Sequence, residues 1–160
     1  MNQTLGTQLR HLLELLDGAV ERSYKDLGLD YKPRFTPIMR ALSVREPQSI
    51  NELVAAAGIS QPATTQTVNL MEKKGIIQVT KAEEDGRKKL ISLSEQGKQL
   101  LIQVKKCWQI TALAAEDLEC ELGGTLSVTL QNAIGALEKK SFDSRIKNAS
   151  KEFETLNNRD

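Results

Sequence analysis

The sequence predicts a mainly α-helical fold with one small β-hairpin, arranged as a winged helix-turn-helix module that has further helices on both sides. Three observations indicate this class. Two short helical segments meet at a tight turn over Gly58–Ser60, and two β-branched segments flank the Asp-Gly dipeptide at 85–86. Long amphipathic segments with helical spacing precede and follow this block.

The composition is that of a globular protein built from helices. The 160 residues are 39% hydrophobic, 27% charged and only 4% aromatic, so the interior consists mainly of aliphatic side chains that suit helix packing. The formal net charge of +1 gives no global sign of a nucleic-acid partner. No apolar run of about 18 residues and no secretory leader pattern occur, so we expect a cytoplasmic protein with no membrane partner.

The first helix is predicted from an apolar stripe that continues for about six turns. Gly28, Asp30 and Pro33 end it. The members of the stripe recur at spacings of three and four residues: Leu5, Leu9, Leu12, Leu13, Leu16, Val20, Tyr24 and Leu27.

Two short helices follow. Thr36–Pro37 begins the second helix, which ends before Pro47, and Ser49 and Glu52 have the spacing of a capping box at the start of the third. Gly58 ends the third helix. The second helix is expected to direct three side chains inward: Ile38, Ala41 and Leu42.

The fourth helix is predicted to begin at the N-cap Ser60, with Pro62 in its first turn, where a missing amide hydrogen costs little. It continues to Lys74 and ends at Gly75. Two strands are then predicted over 76–80 and 89–93, separated by a polar loop over 81–87.

Helical periodicity returns at Ser94 and persists to Leu122, before Gly123 and Gly124. A last amphipathic helix is predicted over 126–137. From Lys139 the chain is polar apart from Phe142, Ile146, Phe153 and Leu156, and we expect its end to fray.

The segment from Asp85 to Ser94, DGRKKLISLS, resembles the wing signature of the MarR family, in which Asp-x-Arg is closed by Leu-Thr or Leu-Ser. Ser94–Lys98 is similar to the start of that family's long fifth helix, and Leu70–Ile77 is similar to the end of its recognition helix. The resemblance covers about residues 33–101.

This resemblance implies one MarR-type unit over 1–160, with a winged helix-turn-helix module at 34–93 and dimerisation helices at 1–30 and 94–160. It implies a sequence-specific regulator of transcription, a ligand-responsive repressor that binds a pseudo-palindromic double-stranded operator as a homodimer. The residues alone also favour a dimer, because a helix over 94–122 cannot bury its whole apolar stripe on one small module. A monomer with its helices folded back is the alternative.

The outward face of the fourth helix carries the candidate DNA contacts, because Thr64, Thr67, Val68 and Met71 form its predicted inward face. Gln and Asn side chains can form paired hydrogen bonds with adenine. The family often has arginine at the position of Gln66, so a strong guanine preference is not expected. The alternative is a merely solvated face. The candidates are Ser60, Gln61, Pro62, Thr65, Gln66, Asn69 and Lys73.

The predicted wing supplies further DNA-binding candidates. Arg87 at the hairpin tip is suited to the minor groove, and Lys88 and Lys89 are suited to phosphates. A turn-stabilising pair between Arg87 and Asp85 is the alternative role. Residues 60–98 contain seven Lys or Arg and five Asp or Glu, so we expect specific but salt-sensitive affinity.

Relatives in this family commonly release DNA when a small aromatic compound binds between the dimer helices and the DNA-binding module. Tyr24, Tyr31, Phe35 and Trp108 are the candidate effector-binding residues, although each also suits ordinary core packing. Cys107 and Cys120 are expected to be structural, because buried cysteines more often act as small hydrophobic residues than as reactive thiols.

No catalytic residue, metal site or cofactor is predicted. The single histidine, His11, has no metal-ligand partner in the sequence, and no phosphate-binding glycine loop or nucleophile motif occurs. We therefore expect a protein that is not an enzyme. A winged-helix module that binds another protein instead of DNA is the alternative function, favoured by the low net charge.

Overall fold

The computed structural model describes residues 4–81 and 89–157. The chain divides into two compact units, residues 1–111 and residues 112–160. The predicted fold class is confirmed, since in the described residues helices precede and follow a two-stranded antiparallel sheet along the chain. The elements in chain order are α1 (Leu5–Asp26), a 3-10 helix (Pro33–Phe35), α2 (Thr36–Val44), α3 (Ile50–Ala57), α4 (Gln61–Lys73), β1 (Ile77–Lys81), β2 (Lys89–Leu93), α5 (Glu95–Glu121), α6 (Leu126–Lys139) and α7 (Phe142–Asn157). The boundaries of the module at 34–93 and of the dimerisation helices stay a prediction.

The helix-turn-helix has the caps that the sequence predicts. The Ser49 N–H donates to Glu52 Oε2 at 2.7 Å, and Ser49 Oγ accepts from the Glu52 N–H at 3.4 Å, which completes the capping box of α3. Gly58 ends α3 in the left-handed region at φ 66°. Ser60 Oγ then accepts from the Ala63 N–H at the start of α4.

The hairpin joins α4 to α5. Its strands pair in the register Ile77 opposite Leu93 through Lys81 opposite Lys89, and Gln48 bridges Ile91 from the far side of β2. The first strand begins at Ile77, one residue later than predicted. The Ile76 N–H donates instead to the Met71 carbonyl at 2.9 Å, which satisfies a backbone acceptor at the end of α4.

One core holds the first unit together. Three aromatic rings contact edge to face within it, Tyr24 with Tyr31 at 4.9 Å between centroids and Tyr31 with Phe35 at 5.7 Å. The predicted inward residues of α2 are confirmed, with Met39 added to them. The nearly fully buried hydrophobic side chains in the helices, and in the segment between α1 and the 3-10 helix, are Tyr24, Tyr31, Phe35, Ile38, Met39, Leu42, Leu53, Val68, Met71, Val104 and Cys107.

The first turn of α5 is locked against the end of α4. The Ile76 carbonyl accepts hydrogen bonds from the N–H and Oγ of Ser94, both at 3.1 Å, and Ser94 Oγ accepts from the Gly97 N–H at 2.9 Å. A Cβ on Gly97 would lie 1.9 Å from the Ile76 oxygen. Glycine is therefore the residue that permits this close approach.

The second unit contains one helix more than predicted. α7 covers residues expected to be polar and partly frayed, but Phe142, Ile146, Phe153 and Leu156 lie at spacings of four, seven and three, which places them on one stripe. Glu119 accepts from the backbone N–H groups of Leu126 and Ser127 at 3.2 and 2.7 Å. The hydrogen bonds from Ser127 lower the pKa of Glu119.

The two cysteines differ in environment. Cys107 is buried in the core, as expected of a structural cysteine, whereas Cys120 near the end of α5 is exposed. The expectation of burial therefore fails for Cys120. Thirteen residues separate the two on one helix, which rotates them apart by about 140°.

Gly97→Ala should destabilise the protein by about 1–3 kcal/mol, because the added methyl group displaces the Ile76 carbonyl and weakens its bonds to Ser94. Urea denaturation followed by circular dichroism measures the change. Gly135→Ala in α6 is the matched control, since nothing lies within 4 Å of its Cβ position, and it should raise stability by up to about 1 kcal/mol. Equal stability of Gly97→Ala and wild type would show that this contact is dispensable.

The capping box should make stability depend on pH in the acid range. Hydrogen bonds from Ser49, and then from Arg45, lower the pKa of Glu52 from its ordinary 4.5 to about 2. The stabilisation from ionised Glu52 is therefore complete above pH 4.5 and is lost as the pH falls through 2. Wild type should have a higher urea midpoint than Glu52→Gln at pH 6, and the difference should shrink between pH 4.5 and pH 2.

The control for this measurement is Glu154→Gln on α7, because Glu154 has no hydrogen-bond or ion-pair partner within 4–81 and 89–157. It should leave the midpoint unchanged at each pH. A Glu52→Gln difference of constant size from pH 6 to pH 2 would contradict the assignment.

Candidate nucleic-acid interface

The outer face of α4 is polar and accessible. The predicted division of this helix is confirmed, with Thr64, Thr67, Val68 and Met71 buried and the opposite face exposed. Gln61, Thr65, Gln66 and Asn69 line one open concavity of about 750 Å³ together with Pro62 and Ala63. Ser60 and Lys73 are also exposed, at the first and last turns of the helix. The predicted α4 candidates thus lie on one solvent-facing side.

Buried contacts position this face. Thr64 Oγ1 donates to the Ser60 carbonyl at 3.0 Å, and Met71 is fully buried against the core. An ion pair between Lys74 and Asp30 joins the end of α4 to the loop after α1. The burial of Met71 and the Lys74–Asp30 ion pair therefore attach α4 to the rest of the first unit, with its polar face exposed.

The charges around α4 suit an anionic partner. Its first turn contains no acidic residue, so the partial positive charge of the helix N-terminus is not offset there. Lys81 and Lys89 lie opposite each other in the hairpin and are both exposed. Like charges at facing positions repel, and an anion between them would relieve the repulsion.

Two predicted wing residues, Arg87 and Lys88, lie outside the described residues. β1 and β2 are described up to Lys81 and from Lys89, so the base of the wing is placed and its tip is not. Contacts of Arg87 with DNA, or with Asp85, stay predictions.

Arg34 lies in the 3-10 helix and is not among the DNA-binding residues predicted from the sequence. Its Nη2 donates to Gln66 Oε1 at 3.0 Å, and both side chains are exposed. Thirty-two positions separate the two residues. No periodicity or motif in the sequence indicates this pair, because it depends on the packing of the 3-10 helix against α4.

The predicted effector residues lie in the core. Tyr24, Tyr31, Phe35 and Trp108 belong to one buried cluster, and the Arg40 guanidinium lies 4.7 Å from the centre of the Trp108 ring. Burial raises the pKa of Tyr24 and of Tyr31. These four side chains belong to the core, which is the alternative role predicted for them beside effector binding.

A cavity that the sequence did not indicate lies between α2 and α3. Its volume is about 560 Å³, and its walls combine apolar groups with two guanidinium groups. The lining residues are Arg40, Ala41, Val44, Arg45, Gln48, Glu52, Ala55 and Ala56.

Other classes of site find no support in the part of the chain that the structure describes. Within 4–81 and 89–157, no three His, Cys, Asp or Glu residues come together as a metal site would require. His11 is exposed and lies 3.9 Å from the Glu14 carboxylate. No described helix is long and apolar enough to span a membrane.

Comparison with known proteins gives one family and many similar folds. Residues 30–88 match the model of the MarR family. The fold is similar to that of MepR from S. aureus, solved as a DNA complex, with a TM-score of 0.68, 15% identity, and coverage of 85% of this chain and 100% of MepR. It is also similar to CouR, a transcriptional repressor solved on a 23-mer DNA duplex, with a TM-score of 0.59, 18% identity, and coverage of 79% and 92%.

Bordetella bronchiseptica BpsR, whose DNA binding is regulated by 6-hydroxynicotinic acid, is similar at a TM-score of 0.59 and 17% identity, over 88% of this chain and 94% of BpsR. The TM-scores show that this chain shares its fold with these structures, and at identities below 25% the similarity concerns the fold alone.

Proposed function

Because residues 30–88 of this chain match the model of the MarR family, we propose that the protein is a sequence-specific DNA-binding transcriptional regulator that acts as a ligand-responsive homodimeric repressor. The observation that carries the proposal is the outer face of α4, where exposed amide and hydroxyl side chains lie on a helix fixed by the core. A helix of this kind fits the major groove, where such groups bond to base edges.

The proposed contacts divide into two kinds. Gln61, Thr65, Gln66 and Asn69 contact base edges, while Ser60, Pro62 and Lys73 at the ends of the exposed face contact the sugar-phosphate backbone. Lys89 and the wing residues Arg87 and Lys88 contact phosphates or the adjacent minor groove. The facing pair of Lys81 and Lys89 supports an anionic partner at the base of the wing.

Exposed apolar stripes support the homodimer. On α1, Leu5, Leu9, Leu13 and Leu16 are between 42% and 70% exposed. The second unit exposes its own set: Val128, Ile134, Leu137, Phe142, Ile146, Phe153 and Leu156. Apolar surfaces of this extent are covered by a partner in soluble proteins, and a second copy with twofold symmetry is the simplest partner for both units.

A small aromatic effector is the proposed ligand. Proteins of similar fold respond to or bind compounds of this class: the DNA binding of BpsR is regulated by 6-hydroxynicotinic acid, and NadR was solved in complex with 4-hydroxyphenylacetate. In this chain Trp108 offers a buried indole N–H that lacks an acceptor among the described residues. We place the effector against Trp108, with Tyr24, Tyr31 and Phe35 as the surrounding aromatic wall, so binding requires this part of the core to open.

The first test combines size and DNA selection. Light scattering should give twice the 17.8 kDa of one chain, and selection from a random duplex pool should enrich inverted repeats with half-site centres about 10 base pairs apart, since two symmetric modules meet the same face of DNA. A protein that stays monomeric at micromolar concentration, both free and on DNA, would refute the dimer. Failure to retain any duplex at low salt would favour the protein-binding alternative.

The wing is tested through its salt dependence. Arg87→Ala should weaken binding to every duplex and reduce the slope of log affinity against log salt by about one per subunit, because one phosphate contact is lost. Lys151→Ala on α7 removes the same charge from an exposed helix and should leave the slope unchanged. Fluorescence anisotropy over a salt series measures both variants, and an unchanged slope for Arg87→Ala would mean that the wing does not contact DNA.

A further inference from the structure

We propose that Arg34 is a further specificity-determining residue, and that Arg34 and Gln66 together recognise guanine at one symmetric position in each half-site. This inference rests on the proposed function. It concerns a residue outside both the recognition helix and the wing, brought to the same surface by the 3-10 helix.

The backbone holds Arg34 beside α4. The residue before it, Pro33, has its own φ angle restricted by the proline ring. The residue after it, Phe35, is 1% exposed and contacts Tyr31 edge to face. The 3-10 helix packs directly on α4. Only the side chain of Arg34 is therefore free to move, and its guanidinium donates to Gln66 Oε1 at 3.0 Å.

The charge of Arg34 is not neutralised within the protein. Over 4–81 and 89–157 its one hydrogen bond is to the neutral Gln66 amide, and no carboxylate lies within ion-pair distance of it. By contrast, Arg45 is paired with Glu52 at 3.0 Å. The guanidinium of Arg34 thus keeps donors available for an acceptor on a ligand.

The hydrogen bond changes what Gln66 can recognise. A glutamine that recognises adenine accepts from the adenine N6 amino group through Oε1 and donates to N7 through Nε2. Here one of the two lone pairs of Oε1 accepts a charge-assisted bond from Arg34, and the adjacent positive charge disfavours the approach of a second donor from adenine. Within 4–81 and 89–157, the Nε2 protons of Gln66 and the remaining N–H groups of Arg34 have no protein acceptor, and both side chains are exposed.

An array that contains only donors matches guanine. In the major groove guanine presents two acceptors, N7 and O6, whereas adenine presents one acceptor and one donor. Gln66 by itself predicts a contact with adenine, whereas Gln66 paired with Arg34 predicts a contact with guanine. α4 contains no arginine, but Arg34 from the 3-10 helix places a guanidinium beside its exposed face.

The test measures base preference by fluorescence anisotropy on the selected duplex and on its single-substituted versions. Wild type should prefer guanine to adenine at one symmetric position by about 5- to 100-fold. Arg34→Ala should remove this preference and increase the relative affinity for adenine, because the Gln66 oxygen is released. Gln66→Ala combined with Arg34→Ala should lose less than the sum of the two single effects, since the residues act as a pair.

Lys32→Ala is the matched control, because Lys32 is an exposed cation two residues from Arg34. It should lower affinity for all duplexes equally and leave base preference unchanged. Thermal melts should show that all four variants remain folded, since each changed side chain is exposed.

If Arg34→Ala weakens every duplex equally, as Lys32→Ala does, Arg34 contacts phosphate and this inference is wrong while the proposed function stands. A wild-type preference for adenine at the position that Gln66→Ala affects would also overturn it. If wild type binds no duplex at all, the proposed function fails together with the inference.

Discussion

The close approach of the Ile76 carbonyl to Gly97 is the constraint on which the winged-helix module depends. At this point the end of α4, the start of β1 and the first turn of α5 share one set of hydrogen bonds through Ser94. A residue with a side chain at 97 would separate them, because its Cβ would lie within 2 Å of the Ile76 oxygen. These hydrogen bonds connect α4, the described part of the hairpin and α5, and so they help to orient the proposed DNA contacts of α4.

The proposed DNA-binding surface is assembled from segments that are distant in sequence. α4 supplies neutral hydrogen-bonding groups, the 3-10 helix supplies the Arg34 guanidinium, and the hairpin supplies Lys81 and Lys89. This arrangement explains how a chain with a formal net charge of only +1 can be suited to a polyanion. Residues 60–98 contain seven Lys or Arg and five Asp or Glu, so the local field depends on where these few cations lie and not on the total charge.

The two units differ in how their polar groups are hydrogen-bonded and in how much apolar surface they expose. In the first unit, caps and buried side chains such as Gln48, which donates to the Ala41 and Arg45 carbonyls at 2.9 and 2.6 Å, satisfy the backbone around a closed core. The second unit has no fully buried side chain in α6 and exposes large apolar residues along α6 and α7. Its helices thus have an amphipathic face whose burial requires further surface, the physical basis of the proposed homodimer.

The sequence by itself determined the order of the elements, the inward face of α4 and the capping box, because caps, glycine turns and helical periodicity are local properties of neighbouring residues. It also indicated the outward polar residues of α4, and the spacing of Phe142, Ile146, Phe153 and Leu156 would have indicated α7 as well. Only the tertiary structure decided the pairing of Arg34 with Gln66, the burial of the four aromatic residues and the close contact at Gly97. Each of these depends on contacts between segments that are distant in sequence and meet only when the core packs. Patterns among neighbouring residues therefore do not indicate them.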